Sequence, residues 1–426
     1  MSAFPSARLP RLTAAALAVL AVAACSGSPG EGPVQLRFSW WGSDERQATM
    51  LRVIEEFEAE NPDISVSGES TDWSAYWDRL ATSTAAGDAP DVLMQEDRYL
   101  REYGDRGALL ELTDLDVSGI DPLVAESGEL DGRVFGIASG VNAYAIHADP
   151  VAFEEAGVEM PDDDTWTWQD YAEISARISE GSDGAYAGSQ SMAYNETGFQ
   201  VFARQRGEAL YTEDGRLGFS EQTLTEWYEI VEEMADSGAQ PSAERGVEIQ
   251  AGGVEQSVVS TGQGAMAHFW SNQVGNVSES AGRDIELLRY PGETEHERTG
   301  LFFKPAMFYS VSARSEHPEE ALRFVDHMLN DPAAAELLKA DLGLPANLEV
   351  REAIAGDLSE GDARMAEFMA GIEDTIVDGN PAPPIGAGGV VDIGSRVADR
   401  LAFGDITPQE AAREFMTEVE HAIGAS

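Results

Sequence analysis

The chain has 426 residues, 43% of them hydrophobic, which is length and apolar content enough for two domains or one large α/β unit with sizeable cores. Its 27 basic and 77 acidic residues leave a formal net charge of −50, and such a surface repels nucleic acid and anionic membranes. Only Lys304 and Lys339 are lysines; saline surroundings or GC-rich coding would each explain that, so charge alone says little about a ligand.

Arg8 and Arg11 precede an apolar run over residues 12–24, and Cys25 follows. This is the charged n-region, short h-region and small-residue cleavage site of an export signal, and the run is short for a permanent transmembrane helix. Leu20-Ala21-Val22-Ala23-Ala24-Cys25 resembles a bacterial lipoprotein box, which implies a signal peptide over 1–24, lipidation of Cys25 and anchoring on the outer face of the cytoplasmic membrane. Residues 25–33, rich in Gly, Ser and Pro, read as a flexible tether. Cys25 is the only thiol, so no intramolecular disulfide is available and the core must hold the fold.

The first strand is expected over residues 34–41, where Leu36 and Phe38 alternate with Arg37 and Ser39. Trp40 and Trp41 stand at its carboxyl end. Gly42 and Ser43 turn the chain into a helix marked by Met50, Val53, Ile54 and Phe57. In open α/β sheets ligands are met outside the carboxyl ends of strands, so either indole fits a cleft wall, and either fits the core beneath the sheet. A second strand begins at Ile64, a helical face carries Trp73, Tyr76, Trp77 and Leu80, and a buried strand over 91–94 exits into Gln95, Glu96 and Asp97. The alternation predicts a mostly parallel sheet flanked by helices.

Two extended segments follow, joined by Ser139-Gly140-Val141-Asn142. Further on, Thr167 and Asp170 form a capping-box pair, with Trp168 read as a packing residue. A helix over 223–235 has the apolar face Leu224, Trp227, Val231 and Met234. Residues 265–270 read as a strand ending in Trp270, followed by the polar Ser271 and Asn272. Residues 301–311 are long, extended and apolar but contain Lys304 and Pro305. Proline there argues against a regular central strand, and Lys304 fits a cleft-facing bend or an ordinary salt bridge. Thr407-Pro408-Gln409-Glu410 is a capping box with proline in the first turn, preceding the stripe Ala412, Phe415, Met416, Val419 and Ile423.

Catalytic and metal signatures are weak. The six histidines show no metal-ligand spacing, so no metal or cofactor is expected, and the glycine-rich stretches at 262–264 and 386–389 lack the context of a nucleotide site. Carboxylates are too numerous for their mere presence to indicate a glycosidase pair.

With its order of motifs the chain resembles the family 1 extracellular solute-binding proteins of bacterial ABC importers, the sugar-binding lipoproteins. The resemblance is carried by the opening strand and its tryptophans, Ala85-Ala86-Gly87-Asp88-Ala89-Pro90-Asp91-Val92, Leu109-Leu110-Glu111-Leu112 and Phe135-Gly136-Ile137. It continues through residues 165–171, Gly262-Gln263-Gly264-Ala265-Met266, His317-Pro318-Glu319-Glu320-Ala321, Gly343-Leu344-Pro345-Ala346 and residues 405–411. Ala138 stands where that pattern usually has proline, and His147-Ala148-Asp149 replaces its usual Tyr-Asn-Lys-Asp. The resemblance implies an α/β, two-lobed periplasmic-binding-protein-like fold with a hinge and an interlobe ligand cleft. Lobe one would comprise residues 34–142 and 303–346, and lobe two 143–302 and 347–426.

It also implies a non-enzymatic, monomeric partner of a sugar or oligosaccharide ligand and of a membrane permease. A sugar needs flat aromatic surfaces, for which Trp40, Trp41, Tyr194 and Trp270 are candidates. Its hydroxyls need planar or charged polar groups, for which Gln95, Asp97, Asn142, Asn272 and Lys304 are candidates. Each aromatic fits the core as well, and Asp97 and Asn272 fit solvated loops. An exported glycoside hydrolase and a surface adhesin or scaffold remain alternative readings.

Overall fold

The computed structural model describes residues 32–377 and 379–424. The expected signal peptide, Cys25 and most of the expected tether lie outside the described residues.

Strand Val34–Trp41 forms as its alternation predicts, and helix Asp44–Glu60 buries Met50, Val53, Ile54 and Phe57 on one face. The Ser43 side chain accepts from the Arg46 amide at 3.2 Å and starts that helix. Strand Ile64–Thr71 pairs parallel to the first, residue for residue from Val34↔Ile64 to Trp41↔Thr71. Helix Trp73–Ala86 is capped by Asp72 and ends at Gly87, whose φ of 76° is cheap only for glycine. Strand Val92–Gln95 then lies parallel on the other side of the first.

Two further strands complete this sheet, and both differ from the parallel expectation. Phe308–Val311 runs antiparallel to Val92–Gln95, and Ile137–Ala138 runs antiparallel to Phe308–Val311. The reason is the route of the chain. Strands joined by a helix within one lobe re-enter from the same end and come out parallel, whereas Phe308 follows directly from Phe303–Pro305, a segment that crosses between the lobes, and enters at the end where Gln95 leaves.

The second sheet has the order Glu286–Leu288, Gly140–Ala148, Gly264–Trp270, Ala187–Ser189. It too is mixed, with only the last pair parallel. Its long strand Gly140–Ala148 joins the lobes. The first part, residues 140–143, pairs with Phe303–Pro305 and Leu344–Pro345, and the rest pairs with Gly264–Trp270 and Glu286–Leu288. At Gly140 a Cβ would lie 2.4 Å from the Leu342 carbonyl oxygen, so the close approach of two crossing segments requires glycine there. Pro305 is tolerated because Phe303–Pro305 pairs on one side alone.

Helices at the second sheet follow the sequence closely. Thr167 and Asp170 form the capping box, and Trp168 packs, donating through Nε1 to Gln205 at 2.9 Å. Helix Glu221–Asp236 buries Leu224, Trp227, Val231 and Met234. Thr407 and Glu410 cap helix Pro408–Gly424 reciprocally. One buried apolar cluster is continuous through both sheets.

The expected start of the last lobe-two segment at residue 347 is too early. Helix Leu348–Ile354 buries Val350 and Ile354 against Ala335, its Leu348 amide donates to Gly119 at 2.8 Å, and Arg351 pairs with Asp121 at 3.2 Å. All of these partners belong to the first lobe.

Candidate functional site: a charged and aromatic cleft between the lobes

Strand Val92–Gln95 hands over directly to helix Asp97–Asp105, with Glu96 as its N-cap. Glu96 Oε2 accepts from the Arg98 amide at 3.0 Å, which pins the carboxylate at the helix end. Its other oxygen accepts from Lys304 Nζ at 2.8 Å, and Asp97 Oδ1 stands 3.3 Å from the same ammonium. Lys304 comes from the crossing segment Phe303–Pro305, so the pairing ties a lobe-one strand end to the hinge.

Two carboxyls sharing one ammonium divide their protons unequally. Burial opposes charge on Glu96, but Lys304 and Arg98 outweigh it and hold this carboxyl well below the usual range. Asp97 moves the other way: burial, with the Glu96 charge beside it, pushes it up to about 7 against the pull of Lys304. On Lys304 burial is outweighed by the two acids, and its pKa rises. Asp97 keeps 26% of its side chain exposed, so near neutral pH this wall offers a ligand either an O–H donor or a carboxylate acceptor.

The opposite wall comes from lobe two. Trp270 ends strand Gly264–Trp270, is partly exposed, meets Tyr144 edge-on at 4.9 Å between ring centroids, and has Lys304 Nζ 5.6 Å from its ring centre. Glu196, at the start of helix Glu196–Gln205, has its pKa raised by burial against the attraction of Arg98, so the two lobes feel each other's charge here. Arg204 on the same helix is buried. Its guanidinium donates to the Gly300 and Gly379 carbonyls and to Asn380 Oδ1 at 2.8 Å, fastening a C-terminal loop as part of the rim.

These groups enclose a cavity of about 670 Å³, lined by Asp97, Arg98 and Phe308 from lobe one, Glu196, Tyr211 and Trp270 from lobe two, and Lys304 between them. That volume is within the usual range for small-molecule sites. A partly exposed indole beside fixed donors and acceptors supports stacking and hydrogen bonding. Among the described residues, the side chains grouped so as to hold a metal ion are Glu60, His327 and Asp331, none of which lines the cleft.

Of the residues singled out by sequence, Asp97, Trp270 and Lys304 meet in this cavity. The others do not line it. Trp40 is 1% exposed and lies on the strand face shared with Leu36 and Phe38, where a Cβ on Gly68 would come 2.7 Å from its ring. Trp41 points to the other face, beneath an aromatic cover of Trp73, Tyr76 and Trp77 at 5.0, 5.1 and 5.6 Å. Gln95 is fully buried with neither side-chain polar atom bonded, and Asn142 is buried in the joining strand. Tyr194 donates to Asp399 at 2.6 Å and lines a smaller adjoining cavity, which shares Arg98 and Glu196 with the cleft. Asn272 lies in the single turn Ser271–Gln273 after Trp270. Sequence reasoning missed Arg98, Glu196, Tyr211 and the rim held by Arg204. The acidic and basic residues among them look like ordinary surface charges along the chain, and only the meeting of lobes distinguishes them.

A family model described as bacterial extracellular solute-binding protein matches residues 52–366. The chain is similar to a putative binding protein of Brucella abortus, 24% identical over 410 residues that cover 93% of this chain and 95% of the relative. It is similar to a lactose-binding protein of Rhizobium radiobacter, 27% identical over 226 residues, half of each chain. Among solved structures it resembles a family 1 extracellular solute-binding protein of Alicyclobacillus acidocaldarius, with a TM-score of 0.74 and 26% identity over 92% of this chain and 99% of that one.

Proposed function

The chain belongs to the bacterial extracellular solute-binding protein family, and from that premise we propose that it captures a sugar or short oligosaccharide between its lobes and delivers it to an ABC-type membrane permease. The observation that carries the reading is the cavity lined together by Trp270, Lys304 and Asp97, with the buried Glu96 holding the Lys304 ammonium in place. An indole suits the C–H face of a pyranose, and fixed charges suit its hydroxyls, since charge-assisted hydrogen bonds are the stronger kind. The binding of lactose by the Rhizobium relative supports the substrate class. Closure of the lobes about the joining strand and crossing segments would complete the site.

A thermal-shift screen of the purified protein against mono- and oligosaccharides tests this. A ligand at one hundred times its Kd stabilises by about 2.7 kcal/mol, a shift of a few degrees. No stabilisation by any saccharide would refute the sugar reading, and release of shorter products from a stabilising ligand would show a hydrolase.

Lipidation of Cys25 is the proposed anchor, supported by the box at residues 20–25. About 0.8 kcal/mol per buried CH₂ makes two acyl chains a stable attachment. Cys25→Ala should release the protein or leave it unprocessed; unchanged membrane retention would rule the anchor out.

A further inference from the structure

A second pocket, about 760 Å³ and sharing no lining residue with the cleft, opens beside helices Asp44–Glu60 and Pro318–Asn330. His327 lines it. Its side chain is 6% exposed, Nδ1 stands 3.5 Å from Asp331 Oδ2, and Nε2 is buried without a partner. Buried polar atoms in native proteins nearly always have partners, and an unpartnered one on an imidazole points to a missing ligand. A Glu60 oxygen, an Asp331 oxygen and one His327 ring nitrogen all lie within 4.8 Å of one another.

The surroundings favour a cation. Asp331 Oδ1 accepts from the Ala333 amide at 2.8 Å, which orients the carboxylate so that Oδ2 faces the imidazole. Glu60 is exposed at the last position of its helix, with a carboxylate oxygen already near the other two groups. His327 lies in the last turn of helix Pro318–Asn330, where the exposed carbonyls give a negative potential. Asp114, Asp116 and Asp326 add to it, and the arginine lining this pocket, Arg323, is paired with Asp63 at 2.8 Å.

We propose that Glu60, His327 and Asp331 form a binding site for a borderline divalent transition metal ion such as zinc, with water completing the coordination shell. An imidazole with two carboxylates suits such an ion, whereas calcium and magnesium take oxygen ligands. The ion would fasten helix Asp44–Glu60 to the distant segment at 327–331. No disulfide can do this in a chain whose only cysteine is Cys25.

The test uses protein stripped with chelator and held in excess magnesium and calcium, which occupy the acidic surface. Zinc is then titrated by calorimetry and by thermal denaturation. One equivalent should bind and raise the melting temperature. His327→Gln and Glu60→Gln should each weaken zinc at least about tenfold. Glu60→Gln, at an exposed position, should leave the zinc-free melting temperature unchanged, so it decides the matter even if the histidine variant folds poorly. Absence of stoichiometric binding under this competition, or unchanged zinc affinity in Glu60→Gln, would overturn the site.

Discussion

Trp41 and Trp270 are equivalent along the chain: each is the last residue of a strand, and each is followed by a short polar turn. In space they differ. Trp41 is 8% exposed beneath Trp73, Tyr76 and Trp77, whereas Trp270 stands partly exposed at the cleft with Tyr144 at its edge and Lys304 nearby. The helix that follows strand Ile64–Thr71 lays its aromatics over Trp41, while a single turn follows Trp270 and leaves one side open. A strand end is therefore only a candidate position, and what the neighbouring segments lay over it decides whether it serves as core or as a binding surface.

The largest expected effect separates the two indoles directly. Trp41→Ala removes a buried ring and should lower stability by about 3 to 5 kcal/mol. Trp270→Ala should leave melting near native while weakening the saccharide found by screening by about 2 to 4 kcal/mol, or roughly 30-fold to 1,000-fold. Denaturant unfolding and calorimetric binding read the two quantities. Native melting in Trp41→Ala with lost affinity would reverse the comparison.

Lys304→Met comes next. It strips the shared counter-ion from Glu96 and Asp97, and an uncompensated acid in a largely buried site costs about 3 kcal/mol. Its denaturation midpoint should fall well below that of Lys339→Met, whose ammonium merely bonds the exposed Asp357 carbonyl. Equal midpoints would show that the cluster is solvated and that Trp270 lacks the charged neighbour described here.

Trp73→Ala probes the cover over Trp41. Trp73 is 42% exposed and meets Trp41 edge-on, so about 0.5 to 1.5 kcal/mol should be lost while acrylamide quenching of Trp41 rises. A gain in saccharide affinity in this variant would mean that Trp41 is a second stacking surface held shut by its cover.

The smallest signal is a pH slope. Asp97 has its folded pKa raised from 3.8 to about 7, so the native state keeps a proton that the unfolded chain has lost, and this residue adds stability as pH falls from about 7 toward 4. Burial lowers His147 and His268 to about 3, and they act oppositely, withdrawing stability as pH falls below 6.5. Asp97→Asn should remove the first contribution and leave the second, so its melting temperature should fall more steeply on acidification than that of the parent. Parallel curves would place Asp97 in open solvent.

Much of this molecule is written locally. The Thr167 and Thr407 capping boxes, the helix faces at 50–57 and 224–234 and the opening strand were legible because caps and hydrophobic period act within a turn or two of the residues that encode them. Even Trp40 could have been assigned to the core, since it continues the alternation of Leu36 and Phe38. Order of motifs carried the family, and the rarity of lysine drew attention to Lys304. What the tertiary structure alone decided were the features made by segments far apart in the chain: the cover over Trp41, the openness of Trp270, the antiparallel entry of Phe308–Val311, the union of Lys304 with Glu96, and the meeting of Glu60 with His327. The physical reason is common to all of them. Local propensity sets which face of an element is apolar, but exposure, pairing and ligand geometry depend on which other element packs against that face, and no periodicity in the sequence records it.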